Sequence, residues 1–379
     1  MFNLRKLFIH YRSKNKKNER QKKELNLSII SDEIIAKNDN PVLEPITKLF
    51  FKKLESIDFI IRHKWPPDFS PPDEGKLIII QPWEYGSLPK AWFLPFIKIV
   101  DEIWVHSVEN KNIYVKGGIP EEKVKVIPHG IRTDLYIKDF EPMKLRNNKQ
   151  FRFLFNGGTI FRKGIDILLK AYTEEFNKNE DVCLVIKDIG TKNIYTDNYQ
   201  QEIMDKISES NNPDIEYLNA DFTEEQLMSL YKACDCYVHP YRGEGFGLPI
   251  IEAMANQLPV IVTGYGSALD FCPKDFTYHL DFEMFIPTEN VYFEFNTVNP
   301  PEYPEVKIES LRYWLRYVFE NREEAKEKGK LGNSYILNNF TWEKSADTVV
   351  KRLKELRDKP VFRDNHQYYA NQYVDKGKE

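Results

Sequence analysis

The chain has 379 residues, room for two cores at roughly 100–200 residues per domain. Its 54 Lys+Arg against 58 Asp+Glu leave a net charge of −4, which excludes a nucleic-acid binder working through overall charge. Charged residues at 30% and hydrophobic ones at 41% exclude a disordered chain, and 4 cysteines are too few for a disulfide framework, which points to a reducing compartment.

Residues 1–24 read as a basic arm: Arg5, Lys6, Arg12, Lys14, Lys16, Lys17, Arg20, Lys22 and Lys23 stand against Glu19 and Glu24. It has no apolar core segment and no small-residue cleavage site, so it does not read as a secretory signal. A solvated arm is one reading. The other is a weak contact with an anionic membrane surface, at about 1 kcal/mol per basic side chain. Phe2, Leu4, Leu7, Phe8 and Ile9 would supply a small apolar face for it. No run approaches the roughly 20 apolar residues of a membrane span. The expected location is cytoplasmic, or peripheral at the inner face of the membrane.

Residues 25–136 read as a first, short α/β unit. Pro66, Pro67, Pro71 and Pro72 mark an extended stretch that no helix interior tolerates. Leu77-Ile78-Ile79-Ile80 has the character of a buried parallel strand. A helix around Ser87 to Ile97 follows, then a strand from Glu102 to His106. Ser107 can cap the next helix, Gly117-Gly118 can end it, and Val124 to Ile127 is a third strand. Residues 137–150 are polar and irregular, as in a linker.

Residues 151–357 read as a second unit, and 358–379 as a polar tail. Strands are expected at Phe151–Phe155, Val182–Ile186, Ile215–Leu218, Cys234–Val238 and Val260–Val262. Helices are expected at Gly164–Tyr172, Tyr199–Ser210, Glu224–Ala233 and Pro249–Asn256, with amphipathic ones at Glu309–Glu320 and Trp342–Arg357. This alternation predicts βαβ units and a parallel sheet. The expected architecture is two doubly wound units facing a cleft.

The most informative stretch is His239-Pro-Tyr-Arg-Gly-Glu-Gly-Phe-Gly-Leu-Pro-Ile-Ile-Glu252, which joins a strand to a helix. Gly245 and Gly247 allow close backbone approach, so the amides of Phe246, Gly247 and Leu248 can face an anion at a helix N-terminus. Glu244 and Glu252 flank that position. Carboxylates accept paired bonds from vicinal hydroxyls, as on ribose or a hexose. A diphosphate with sugar hydroxyls on both sides would use all these groups; a capped helix beside a solvated acidic turn is the plainer reading. In the stretch Phe155 to Gly164, glycines again follow a strand, and Arg162-Lys163 precede a helix. An arginine fork and a lysine charge suit a diphosphate and its negative charge on departure, against the alternative of a surface basic pair. The order of residues is not that of a P-loop.

Glu244 and Glu252 form an E-x7-E pattern within Glu-Gly-Phe-Gly-Leu-Pro-Ile-Ile-Glu-Ala-Met-Ala, followed by Pro259-Val-Ile-Val-Thr-Gly264. With Arg162-Lys163-Gly164 and Val126-Ile-Pro-His-Gly130, the chain over about residues 76–356 resembles a family 4 retaining glycosyltransferase of the GT-B fold. The resemblance implies two Rossmann-like domains, the first abbreviated here, and transfer of a sugar from a UDP- or GDP-linked donor. The acceptor would be a glycan, lipid-linked or protein hydroxyl, in polysaccharide or other glycan biosynthesis. It gives Arg162 and Lys163 to the diphosphate, Glu244 to the donor sugar and Glu252 to the ribose, with Gly158, Thr159, Phe246, Gly247 and Leu248 completing the donor site. Trp83-Glu84 stands where the family often has a His-acid pair, which makes Glu84 an acceptor-side candidate, with a structural turn carboxylate as the alternative. Thr159 or Ile160 stands in place of an earlier arginine, and Gln257 in place of a glycine.

His129 and His239, at strand ends, are further acceptor-side candidates, His239 beside the plainer reading of a satisfied structural histidine, and His106 is another residue that can line the cleft. Cys234 and Cys236 share one side of a strand and read as core. With no Asp-x-Asp sequence, no metal and no cofactor is expected; the nucleotide-sugar is a substrate. Two rivals are a non-catalytic nucleotide-sugar or glycan-binding module, and a GT-B-type epimerase or phosphorylase.

Overall fold

A computed structural model describes residues 56–189, 199–292 and 294–362, and the backbone alone of Lys6–Ser13 and Leu25–Ser31. The rest of the expected basic arm, and the expected tail beyond residue 362, lie outside the described residues.

The first sheet comprises β1 (Lys6–Ser13), β2 (Leu25–Ser31), β3 (Phe59–Lys64), β4 (Lys76–Ile80), β5 (Glu102–Val105) and β6 (Val124–Val126), ordered β2-β1-β3-β4-β5-β6. Strands β3 to β6 run parallel, while β1 is antiparallel to both its neighbours. The sequence reading has three strands here and leaves residues 6–13 in an arm; the structure makes those residues a strand. Helices α1 (Lys90–Lys98) and α2 (Val108–Lys116) make the crossovers, and Ser107 caps α2 through the Asn110 amide at 3.2 Å. Alternation along the strands sends Ile60, Leu77, Ile79, Ile103 and Val105 to one face, against Trp83, Trp92, Phe96 and Tyr114. Phe59, Ile61, Ile78 and Trp104 go to the other.

After a short turn of helix, α3 (Thr133–Tyr136), the second sheet begins. It contains β7 (Phe151–Asn156), β8 (Val182–Asp188), β9 (Asp214–Asn219), β10 (Cys236–His239), β11 (Val260–Thr263) and β12 (Tyr278–Leu280), ordered β12-β11-β10-β7-β8-β9 and parallel throughout. Helices α4 (Ile165–Glu175), α5 (Gln200–Ser208), α6 (Glu224–Lys232) and α7 (Leu248–Ala255) lie between its strands. The order reverses direction between β7 and β10. Loops leaving the carboxyl ends of those two strands therefore diverge and open a crevice, where ligands of open α/β sheets bind.

Beyond β12 the chain makes an excursion that the sequence reading does not contain. It pairs β13 (Phe282–Phe285) with β16 (Tyr303–Val306), and β14 (Val291–Tyr292) with β15 (Phe295–Asn296). Three helices end the described chain: α8 (Ile308–Glu320), α9 (Arg322–Asn339) and α10 (Trp342–Arg357). Helix α9 is also absent from the sequence reading. Its buried face is Ala325, Gly329, Gly332 and Ile336, a helical spacing written partly in glycine. Helix α10, grouped with the second unit by sequence, crosses back: Leu353 and Leu356 pack beside Phe59, Ile61 and Trp104. The four cysteines are buried and free, Cys234 and Cys236 among them. No helix of the described residues is long and apolar enough to cross a membrane.

Candidate functional site

The loops leaving β7 and β10 meet at the crevice. After β7 the chain passes through buried Gly157 and Gly158, makes a 3-10 turn at Phe161–Lys163, and enters α4 through Gly164 at φ 72°. A side chain at Gly164 would place its Cβ 2.0 Å from the Pro240 carbonyl, so the two loops lie in direct contact there. After β10 the chain runs through Arg242-Gly-Glu-Gly-Phe to Gly247, which enters α7 at φ 99°. Pro sits in the first turn of α7, where its missing N–H costs nothing.

This contact joins residues 81 positions apart: the Lys163 ammonium donates to Glu244 Oε1. His239, at the end of β10, lies with Nε2 2.9 Å from the same oxygen and Nδ1 2.8 Å from the Tyr237 hydroxyl. Burial pulls the His239 imidazole below its ordinary value, against the opposing pull of Glu244. A neutral ring facing a carboxylate carries its proton on Nε2, so His239 donates to Glu244, while the Tyr237 hydroxyl shares its single proton between His239 Nδ1 and the Asn156 carbonyl at 3.1 Å. Burial pushes the Glu244 carboxyl up, but the Lys163 charge and the His239 bond outweigh it and hold the group far below the usual range. Glu244 is thus an ionised, oriented carboxylate. His239, expected on the acceptor side, is instead wholly buried between Tyr237 and Glu244. Its ring shares a face of β10 with Tyr237, two residues earlier, and stacks on Tyr237 and Phe155.

Glu252 lies in the second turn of α7, not the first, because the helix begins at Leu248. The Tyr231 hydroxyl donates to its Oε2 at 3.0 Å and accepts from Asn156 Nδ2 at 3.0 Å. Burial pushes the Glu252 carboxyl up to about 7, with Tyr231 opposing and the Glu224 charge reinforcing. Thr159 is buried and donates to Asp188 Oδ2 at 3.2 Å, an oxygen that also accepts from the Tyr217 hydroxyl at 2.6 Å. No hydrogen bond among the described residues uses the amides of Phe246, Gly247 or Leu248.

The first unit closes over this crevice. Glu84, in the loop after β4, pairs with the Arg162 guanidinium at 3.2 Å, while a second Arg162 nitrogen donates to the Gly243 carbonyl at 2.7 Å. Ser107 donates to the Gly245 carbonyl at 3.1 Å, and Ser267 to that of Glu244 at 2.5 Å. His129, past β6, lies 3.7 Å from His106 between ring centroids and sets its ring edge-on to Phe246 at 5.3 Å. Burial holds both imidazoles neutral, His106 at about 4 and His129 lower still. Glu84 and Glu244 line one interunit cavity of about 20 Å³, room for about one water.

The structure therefore gathers Arg162, Lys163, Glu244 and Glu84 into one cluster. It puts His129 on Phe246 and gives Glu252 a separate anchor on Tyr231. Sequence reasoning missed the residues underneath: Asn156, Tyr231 and Tyr237. It also missed Arg242, whose guanidinium forks onto Asp166 at 2.8 Å and Glu305 at 2.7 Å and lies 3.7 Å over the Phe161 ring. Arg242 stands inside the glycine-rich stretch, so its place was visible although its partners were not. No group of three or more His, Cys, Asp or Glu side chains among the described residues could hold a metal ion.

Residues 137–279 match the family model of glycosyl transferases group 1. An uncharacterized glycosyltransferase of Methanocaldococcus jannaschii is 30% identical over 161 residues, 40% of this chain and 39% of that one. A second from the same organism is 26% identical over 249 residues, 65% of this chain and 58% of that one. The chain thus spans about two to three fifths of the length of these relatives. Among solved structures, Anabaena HepE in complex with UDP and glucose superposes with a TM-score of 0.55 at 17% identity, over 74% of this chain and 72% of that one. Sucrose-phosphate synthase from Thermosynechococcus elongatus gives 0.54 at 18% identity, over 75% and 68%. At such identities the shared property is the fold, and it is GT-B: two Rossmann-like units facing a cleft.

Proposed function

We propose that this protein is a retaining glycosyltransferase of family 4 that moves a sugar from a UDP- or GDP-linked donor to an acceptor hydroxyl. The observation that carries this reading is the Lys163–Glu244 contact. It brings a cationic turn and a carboxylate-bearing glycine turn together at the reversal point of a parallel sheet, within the segment that matches group 1 glycosyl transferases. On this reading Arg162 and Lys163 hold the diphosphate, the amides of Phe246 to Leu248 face it, and Glu252 of the E-x7-E pattern holds the ribose. Glu244 takes the donor sugar. Its carboxylate is committed to Lys163 and His239, which suits an orienting acceptor of hydrogen bonds better than a covalent nucleophile. The departing diphosphate oxygen then takes the acceptor proton on the face it leaves, and configuration is kept. Arg162 and Lys163 supply the counter-charge, so transfer should survive EDTA.

The test is hydrolysis and transfer with a panel of UDP- and GDP-sugars, with product anomers read by NMR. Release of one nucleoside diphosphate, with the anomeric configuration retained, is expected. Failure to bind or turn over any member of the panel would overturn the proposal, and binding without turnover would assign a nucleotide-sugar-binding module instead.

A further inference from the structure

Both cations assigned to the diphosphate already have carboxylate partners: Lys163 has Glu244 and Arg162 has Glu84. With His239 neutral, two positive charges face two negative ones among the described residues, so a doubly charged diphosphate would meet no net positive charge from this cluster. Displacement of one carboxylate would leave the cluster a net positive charge for the anion, beside the amides of Phe246 to Leu248, free among the described residues. The two differ in their freedom to be displaced. Glu244 has a side chain 6% exposed, fixed from one side by Lys163 and from another by His239. Glu84 has a side chain 22% exposed.

The backbone under Glu84 is held from several sides, while the one ion pair on its carboxylate among the described residues is with Arg162. Tyr85 packs on Tyr292 of β14 at 4.3 Å between ring centroids. A Cβ on Gly86 would come 2.0 Å from the Glu302 carbonyl, and one on Gly243 would come 2.2 Å from that of Glu84. The Asn299 amide donates to the Ser87 hydroxyl at 2.9 Å. The excursion after β12 thus pins residues 84–87 from the second unit, which leaves side-chain rotation as the route of release.

We infer that Glu84 is a displaceable counter-ion of Arg162: the donor diphosphate takes its place on the guanidinium, and the released carboxylate, held at the cleft by its pinned backbone, becomes available to an acceptor hydroxyl only once donor is bound. This rests on the proposed donor site and adds to it an order of binding, donor before acceptor. Glu84 then acts on the donor through Arg162 and, once released, contacts the acceptor directly.

The experiment is calorimetry of the full chain with UDP and GDP. If the unsubstituted protein binds neither, the donor-site reading itself fails. If it binds one, Glu84→Gln should bind that nucleotide roughly tenfold more tightly, because a competing charge has been removed. Glu84→Ala should do the same, which guards against a failure of either variant to fold. In an Arg162→Gln background the gain should vanish, an outcome that general structural damage would not produce. Unchanged or weaker binding in both Glu84 variants would overturn the inference, as would a gain that persists without Arg162.

Discussion

On the second unit's side of the cleft, each site carboxylate is fixed by side chains of its own unit: Glu244 by Lys163 and His239, Glu252 by Tyr231 resting on Asn156. On the first unit's side, the candidates take their places from the other unit. Glu84 lies against Arg162, Tyr85 against Tyr292, and His129 against Phe246 and Trp342. The donor side is thus set within one domain, whereas the acceptor side exists only when both domains and the excursion are docked. Apart from Glu84, whose carboxylate reaches across to Arg162, nucleotide affinity and acceptor geometry should accordingly respond to different substitutions.

The largest effect expected is at Glu244. Glu244→Leu strands a buried ammonium beside His239, and removing one partner of a buried pair costs roughly 3–5 kcal/mol. The matching cross-unit change, Glu84→Gln, should cost under about 1 kcal/mol, since its pair is partly exposed. Urea denaturation measures both, and equal costs would break the contrast.

A smaller effect should come from the excursion. Phe295 of β15 packs its ring edge against Trp83 at 5.6 Å and Trp65 at 6.0 Å, both in the first unit. Phe295→Ala should cost about 2 kcal/mol, at the low end for a large apolar side chain because the ring is only half-buried. UDP or GDP affinity should stay unchanged, since no donor-side contact is lost. A loss of nucleotide binding as large as the loss of stability would mean that the donor side also depends on docking.

The pH response should separate the sides by sign. Glu252 holds its proton more tightly folded than unfolded, so its contribution is full below its unfolded value near 4.3 and is lost as pH rises through about 7. His106 is the reverse: burial lowers it to about 4, so its contribution is present above its unfolded value near 6.5 and is lost as pH falls through about 4. Melting curves between pH 7 and 5 should show Glu252→Gln losing an acid-side gain and His106→Asn losing an acid-side penalty. Of these two protein groups, nucleotide affinity should follow Glu252 and not His106. It should rise about tenfold from pH 6 to 8 as the carboxylate ionises and takes ribose hydroxyls, and Glu252→Gln should flatten the rise.

The same contrast explains what the sequence made legible. Arg162-Lys163 and Glu244 to Glu252 are contiguous stretches at strand ends, and parallel-sheet topology alone brings two such ends together at a reversal of strand order. Glu84 was visible by position, but its bond to Arg162 spans two domains and leaves no local pattern. For His239 the sequence left the structural and acceptor-side readings open, because a strand-end histidine looks the same whether its ring is exposed or buried. Strand β3 and the excursion hairpins lack flanking periodicity, and α9 buries glycines where a helix reader seeks leucines.

One departure from the family's pattern becomes a physical statement once the backbone is known. Gln257, where the resemblance expects glycine, has φ 66°, the one non-glycine residue with positive φ among those described. It follows Asn256, the C-terminal cap of α7, at the position where a left-handed glycine commonly ends a helix. A side chain there costs about 1–2 kcal/mol in this conformation, offset in part by the greater unfolded-state entropy of glycine. The neighbourhood leaves the backbone little room to relax, because a Cβ on Gly329 of α9 would meet the Gln257 carbonyl at 2.0 Å. Gln257→Gly should therefore stabilise the protein by about 0.5–1 kcal/mol, seen as a raised denaturation midpoint with an unchanged slope. Helix α7 carries Glu252 and the glycine turn at its other end. If the donor side is set by its own hydrogen bonds, relief of strain at Gln257 should leave nucleotide affinity where it was. A shift in that affinity would show that Glu252 depends on the strained end of its helix as well as on Tyr231.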